Sequence, residues 1–189
     1  HLWFLPSKNI EQNSRNLKEL MGNHHVFKHY EIIPVYCGSE EIQKLKEGDG
    51  LEANLERLLQ NSGKKGLILL AGNMLNLGIS LPSCDVVLKL HNKQSADENE
   101  QQDARCLTER KGKRYGYVFD LNPHRILSKT FGICDKLDLQ LSHTESVKYS
   151  IEHKLIEIDE DLFISKDSTE KLETINAKFI EVYNDFIGL

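Results

Sequence analysis

The stretch Leu51-Glu52-Ala53-Asn54-Leu55-Glu56-Arg57-Leu58-Leu59-Gln60-Asn61-Ser62-Gly63-Lys64-Lys65-Gly66-Leu67-Ile68-Leu69-Leu70-Ala71 reads as a helix followed at once by a buried strand. Leu51, Leu55, Leu58 and Leu59 recur at the i, i+4, i+7, i+8 spacing of one helical face, with Asp49 placed to cap it and Gly63 to stop it. Leu67–Ala71 is an unbroken apolar run, as in a strand covered on both faces. The same alternation repeats outward. Apolar runs stand at Leu2–Leu5, Ile32–Tyr36, Val86–Leu90 and Tyr117–Leu121. Helical patterns fall between them. One covers 9–21, with Ser7 as cap, Ile10, Leu17, Leu20 and Met21 inward and Gly22 as stop. Another covers 97–110 after Ser95, and its only apolar residues are Ala96, Ala104, Cys106 and Leu107. Alternating strands and helices predict right-handed crossovers and an α/β fold, a three-layer doubly wound parallel sheet. Ligands of such sheets bind beyond the carboxyl ends of the strands, which directs attention to the loops at 6–9, 37–40, 72–80, 91–95 and 121–125.

Composition bounds the rest. The chain has 189 residues, of which 39% are hydrophobic and 28% charged, enough for a core. No apolar run approaches the roughly 18 residues of a membrane span. The net charge of −5 argues at first against nucleic acid, but it is unevenly spread. Residues 1–150 carry 20 Lys and Arg against 19 Asp and Glu, whereas 151–189 carry 4 against 10. The four cysteines, at 37, 84, 106 and 134, form no close pair, which predicts separate thiols in a reducing, intracellular setting. After Pro123 the strand pattern fades. Residues 140–189 read as helical around a strand-like Leu155–Ile158, with a stripe of Leu172, Ile175, Phe179, Val182 and Phe186 that suits packing on the domain or on a protein partner. The expected division is therefore a domain over 1–127 and a mainly helical acidic extension over 128–189. A chain that opens on His1 directly before an apparent core strand reads as part of something longer.

Several chemistries are missing. There is no Gly-x-x-x-x-Gly-Lys-Ser/Thr phosphate loop, since Gly63-Lys64-Lys65-Gly66 reads as a helix stop and turn. Gly-x-Gly-x-x-Gly, Gly-x-Ser-x-Gly and His-Glu-x-x-His are also absent. His25 and His29 read as surface residues and Asp159-Glu160-Asp161 as a solvated turn, so no metal site is expected.

Three segments offer chemistry. Ala71 to Pro82 leaves one strand and leads toward the next, with Gly72 and Gly78 permitting close backbone approach and Asn73 and Ser80 supplying polar groups; an ordinary turn is the plainer reading. On the 97–110 helix Gln101 and Arg105 stand one turn apart, a pair suited to a polyphosphate or simply to a solvated face. Lys111-Gly112-Lys113-Arg114 is a basic turn, solvent-facing unless used, leading into Tyr115–Leu121.

In order and spacing these segments resemble the C-terminal RecA-like domain of superfamily 2 DExD/H-type helicases over residues 1–127. Leu2-Trp3-Phe4-Leu5-Pro6-Ser7 is similar to motif IV, Gly78-Ile79-Ser80-Leu81-Pro82 to motif V, and Gln101 with Ala104-Arg105 to the Gln-x-x-Gly-Arg of motif VI. The motif VI variation and the Lys- and Asn-rich style resemble helicases of large DNA viruses. The chain departs from the family at Gly72, commonly Thr, at Ser80, often Asp, at Ala104, commonly Gly, and at Thr108, where a second Arg is usual and Arg110 follows two residues later. The resemblance implies ATP with Mg²⁺, the Mg²⁺ held by a preceding RecA-like domain as partner. It implies Arg105 or Arg110 as the catalytic arginine, with Gly78, Ser80 and Gln101 toward the nucleotide. It implies Ser7, Lys8, Gly38, Ser39, Gly72 and Asn73 toward the backbone of DNA or RNA, and a chain inactive alone. A helicase-like scaffold and a flavodoxin-like small-ligand binder are the alternative readings.

Overall fold

The computed structural model describes residues 1–46, 50–72, 81–93, 95–153, 155 and 177. In chain order the elements are β1 (Leu2–Phe4), α1 (Ile10–Asn23), a 3-10 turn at Phe27–His29, β2 (Tyr30–Val35), α2 (Glu40–Lys46), α3 (Leu51–Ser62), β3 (Gly66–Ala71), β4 (Val86–Lys89), α4 (Ala96–Leu107), β5 (Tyr117–Asp120), α5 (Pro123–Lys136) and α6 (His143–Glu152). The strands form one sheet in the order β2-β3-β1-β4-β5, and every pair in it is parallel. This is the doubly wound α/β class expected from the apolar runs.

The layers follow from handedness. The step from β1 to β2 runs one way along the sheet, whereas β2 to β3 and β4 to β5 run the other way. Right-handed crossovers must then place α1 on one face and α2, α3 and α4 on the opposite one. The core divides accordingly. Ile10, Leu17 and Met21 of α1 pack with Trp3, Leu5, Ile32, Ile68 and Leu70. Ile42 and Leu45 of α2, Leu55 of α3 and Cys106 of α4 pack with Leu2, Phe4, Val35, Leu69 and Val87. Successive residues of β1 alternate between the two cores, because strand side chains point to opposite faces. Each such side chain fully withdrawn from water contributes about 1.5–3 kcal/mol.

Local signals are partly as read. Gly63 ends α3 in the left-handed conformation, at φ 63°. Ser95 caps α4, its side chain accepting from the Glu98 N–H. Asp49 lies outside the described residues. Ser7 does not cap α1: the cap position falls two residues later at Asn9, itself left-handed, and the helix runs through Gly22 to Asn23. β5 also differs from expectation. The run Tyr117–Leu121 predicts cover on both faces, yet among the described residues β5 is the last strand of the sheet and its pattern alternates exposed and half-buried. Tyr117 and Phe119 point outward and are 52% and 53% exposed.

Gly116, just before β5, is required by close approach. A Cβ there would meet the Cys106 carbonyl oxygen at 2.0 Å, so the end of α4 and the start of β5 touch through backbone.

The chain divides into two compact units, His1–Leu121 and Asn122–Leu189. The expected boundary after residue 127 falls inside α5. In the second unit Pro123 opens α5, where its missing N–H costs nothing, and the Asn122 side chain accepts from the Arg125 N–H at 3.1 Å. Ser142 and Glu145 form a capping box at the start of α6, and these hydrogen bonds hold the Glu145 carboxyl below its ordinary pKa.

Gly116→Ala is expected to destabilise the fold by about 1–3 kcal/mol in chemical denaturation, since its collision partner is backbone. Gly22→Ala, with nothing near the added methyl, should be neutral or stabilise by up to about 1 kcal/mol. Thiol labelling gives a second check. Cys37 is exposed and Cys84, Cys106 and Cys134 are buried. One thiol per chain, Cys37, should react in the native protein and the other three only after denaturation.

Candidate functional site

At the carboxyl ends of the strands, adjacent β1 and β4 send their connections over opposite faces, α1 on one side and α4 on the other. In sheets of this class, ligands bind beside such a divergence. Ser7 and Lys8 follow β1 and are exposed. Gly38 follows β2 in an exposed turn, its φ of 89° a conformation that favours glycine. Gly72 follows β3, buried, its N–H donating to the Val35 carbonyl at 3.3 Å and its α-carbon facing Ile10. These residues occupy the same edge of the sheet. Ser39 is there too but turned inward. Its hydroxyl donates to the Pro34 carbonyl at 3.5 Å and accepts from the Ile42 N–H at 3.4 Å, so it caps α2 and does not face outward as expected. Asn73, Gly78 and Ser80 lie outside the described residues.

α4 starts beside this edge and descends to the amino end of β5. Its buried side is polar, made of Asn99, Gln102, Asp103 and Cys106. The reason is Lys89, the last residue of β4, which is 1% exposed. Its ammonium lies 2.6 Å from an Asp103 carboxylate oxygen and 4.0 Å from Asp120 of β5, and it donates to the Asn99 carbonyl at 3.2 Å. His91, two residues on, is held as a single tautomer. Its Nδ1 accepts from the Lys93 N–H at 3.1 Å, so Nε2 carries the proton and donates to Gln102 Oε1 at 2.9 Å. Sequence reading passed over this cluster. Its signal was a lysine inside the apolar run Val86–Leu90, opposite a helix too poor in apolar residues to pack on its own account.

With that side inward, Gln101 faces out and Arg105 lies on the same flank one turn later, half-buried. Burial pulls the Arg105 guanidinium below its usual pKa, partly offset by Cys84 nearby. Cys84 precedes β4, so Arg105 belongs to the amino end of the sheet. Arg110 sits at that end as well. It is ion-paired with Glu56 and, at 3.7 Å, with Glu52 of α3, whose carboxylate also accepts from the Ser83 N–H at 2.9 Å. Lys113 anchors the surrounding loops, its ammonium donating to the Cys84 and Thr108 carbonyls at 2.7 and 3.0 Å. A cavity of about 430 Å³ opens there between Glu56, Leu59, Leu81, Cys84 and Arg110. Burial, with Cys84 adding to it, pushes the Cys106 thiol up to about 11. The residues singled out from sequence thus form two groups at opposite ends of the sheet. Ser7, Lys8, Gly38, Ser39 and Gly72 are at the carboxyl edge, and Arg105 and Arg110 are toward the amino edge.

The chain matches no family model, and no curated protein matches it. A solved structure similar to it is described as "Crystal structure of the C-terminal part of Fun30 ATPase domain", with 9% identity and a TM-score of 0.39. The match covers 97% of this chain and 47% of that one, so the chain spans about half its length.

Removing Lys89 alone should be costly. Lys89→Met leaves Asp103 and Asp120 facing each other in a buried site, and is expected to lose about 3–5 kcal/mol in urea denaturation. Lys89→Met with Asp103→Leu should recover much of that, because an apolar pair can replace a buried ion pair.

Proposed function

We propose that the chain is the second RecA-like domain of an ATP-dependent nucleic-acid helicase or translocase, and that it supplies Arg105 to an ATP–Mg²⁺ held by another domain of the same protein. The observation that carries this reading is the setting of α4. A polar helix is fixed to the sheet by a buried ion pair, and its outward flank carries Gln101 and Arg105 one turn apart. A planar guanidinium can make two parallel hydrogen bonds to phosphate oxygens, and the glutamine amide adds a donor beside it. A half-buried guanidinium acts more strongly on the charge of phosphoryl transfer than a solvated one.

Arg105 is preferred over Arg110 because its position matches the motif VI arginine of the resemblance. Arg110 is engaged by two carboxylates, which a phosphate would have to displace. Ser7, Lys8 and Gly38, with Gly72 behind them, suit contacts to a sugar–phosphate backbone, which position a strand without reading its sequence. Asn73, Gly78 and Ser80 take the same roles in this proposal that the family resemblance gives them. The isolated chain then neither hydrolyses ATP nor unwinds, because it carries neither the phosphate loop nor the residues that hold Mg²⁺.

In the complete protein, Arg105→Ala should lower ATPase kcat by about a thousandfold or more while oligonucleotide affinity stays within twofold. Arg110→Ala should leave kcat within a few-fold. Turnover of ATP by the 189-residue chain alone, or an Arg105→Ala protein with normal ATPase, would overturn the proposal.

A further inference from the structure

We infer that the outer face of β5 is a stacking platform for single-stranded nucleic acid, separate from the strand-exit edge. Tyr117 and Phe119 alternate within β5 and so share one face of the strand, and Tyr115 and Leu121 continue the same spacing just before and just after it. They are 69%, 52%, 53% and 68% exposed. An apolar row this open on an edge strand is unusual without a use. Beside it in the sheet, Tyr117 is in register with Val86 and Phe119 with Leu88 of β4, which fixes the backbone that carries the rings.

Charge selects the occupant. The turn that feeds the strand carries exposed Lys111 and Arg114. Asp120 is the one acidic residue between 110 and 121, and it turns to the other face, toward Lys89. Within 110–121, then, the exposed side chains are rings, Leu121 and cations, with no exposed carboxylate among them. Bases present apolar faces and phosphates present negative charge, and that combination is what such a surface fits. The ring centroids of Tyr115 and Tyr117 are 6.2 Å apart. Stacked planes sit about 3.4 Å apart, so a base entering between two rings needs roughly twice that spacing, and exposed side chains can rotate to supply it. Phenol hydroxyls at two of the three rings keep the row wettable when empty. An apolar protein partner would gain little from Lys111 and Arg114, and a duplex, whose bases are already stacked, would gain little from the rings.

The inference deepens the proposed reading by adding a nucleic-acid contact to it, and its test reads binding alone. Fluorescence anisotropy of the 189-residue chain with a mixed-sequence single-stranded oligonucleotide should give saturable binding. A duplex of equal length should bind more weakly. Phe119→Ala and Tyr117→Ala should each weaken single-strand binding about tenfold, and Phe119→Leu nearly as much, since leucine keeps apolar area but loses the ring. Lys111→Gln should lower the slope of log Kd against log salt by about 0.7. These side chains are exposed, so the variants should fold, which circular dichroism checks. Alanine variants that bind within twofold of the parent would overturn the inference, as would Phe119→Leu binding like the parent. So would a concentration-dependent dimer abolished by Phe119→Ala with oligonucleotide binding unchanged, because the face would then pair copies of the chain. Ring dependence combined with an Arg105→Ala protein of normal ATPase would sink the nucleotide role and leave this platform standing. The reverse pair of results would do the opposite.

Discussion

A lysine ammonium buried at the end of a central strand constrains half of this molecule. Withdrawing such a charge from water costs several kcal/mol unless partners meet it closely. Lys89 meets Asp103 from α4 and Asp120 from β5, so one charge ties together two neighbouring strands and the helix that connects them. Apolar packing alone would tolerate some rotation of a helix about its axis, because hydrophobic attraction has no direction. A carboxylate 2.6 Å from an ammonium does not. The rotational setting of α4, and with it the flank that carries Gln101 and Arg105, follows from that distance. Gly116 extends the same constraint to the far end of the helix, where only a hydrogen in place of a side chain lets α4 reach β5.

The fold class was legible because parallel strands buried on both faces leave apolar runs, and β1 to β4 each overlap theirs, although β2 starts two residues earlier, β3 one residue earlier, and Lys89 interrupts the run of β4. The end of α3 was legible because Gly63 takes a backbone shape that glycine adopts freely. What escaped reading involved partners distant in sequence. The buried side of α4 looks solvated until Lys89 is known to lie beneath it. Ser39 looks like an outward hydroxyl until the chain folds back over Pro34. β5 misled for a different reason: an outward row of tyrosine and phenylalanine has the same letters as a buried strand, and only its place at the end of the sheet distinguishes them. Of the residues singled out for function, Arg105 and Gln101 fall on one helix flank as read. Arg110 proves to be engaged with α3, and Asn73, Gly78 and Ser80 lie outside the described residues.

The two ends of the sheet differ in chemical character. The carboxyl edge offers exposed small and polar residues and a glycine turn, while the amino edge offers two arginines, buried thiols and a cavity. α4 is the rigid body that runs from one toward the other, with its ends fixed by Ser95 and by the contact at Gly116. In the proposed reading, a phosphate pulling on Arg105 would act on a helix whose other end begins beside the exit of β4. A rod anchored by a buried ion pair moves as a unit or not at all, which is a physical basis for linking nucleotide state to the nucleic-acid edge.

The placement of β1 has a consequence for how the chain acquires its shape. β1 is the middle strand, all three of its residues are buried, and its partners are β3 and β4, with Leu2 beside both Leu69 and Val87. Among the described residues, β2 has β3 as its one strand neighbour. Within this sheet, the first two strands therefore have no partner strand until Gly66–Ala71 has been synthesised. The third strand is then the seed that brings the first two together, and Val86–Lys89 closes the centre afterwards. Synthesis at about 5–20 residues per second leaves those early apolar segments without their partners for seconds, an interval in which exposed apolar chain can aggregate.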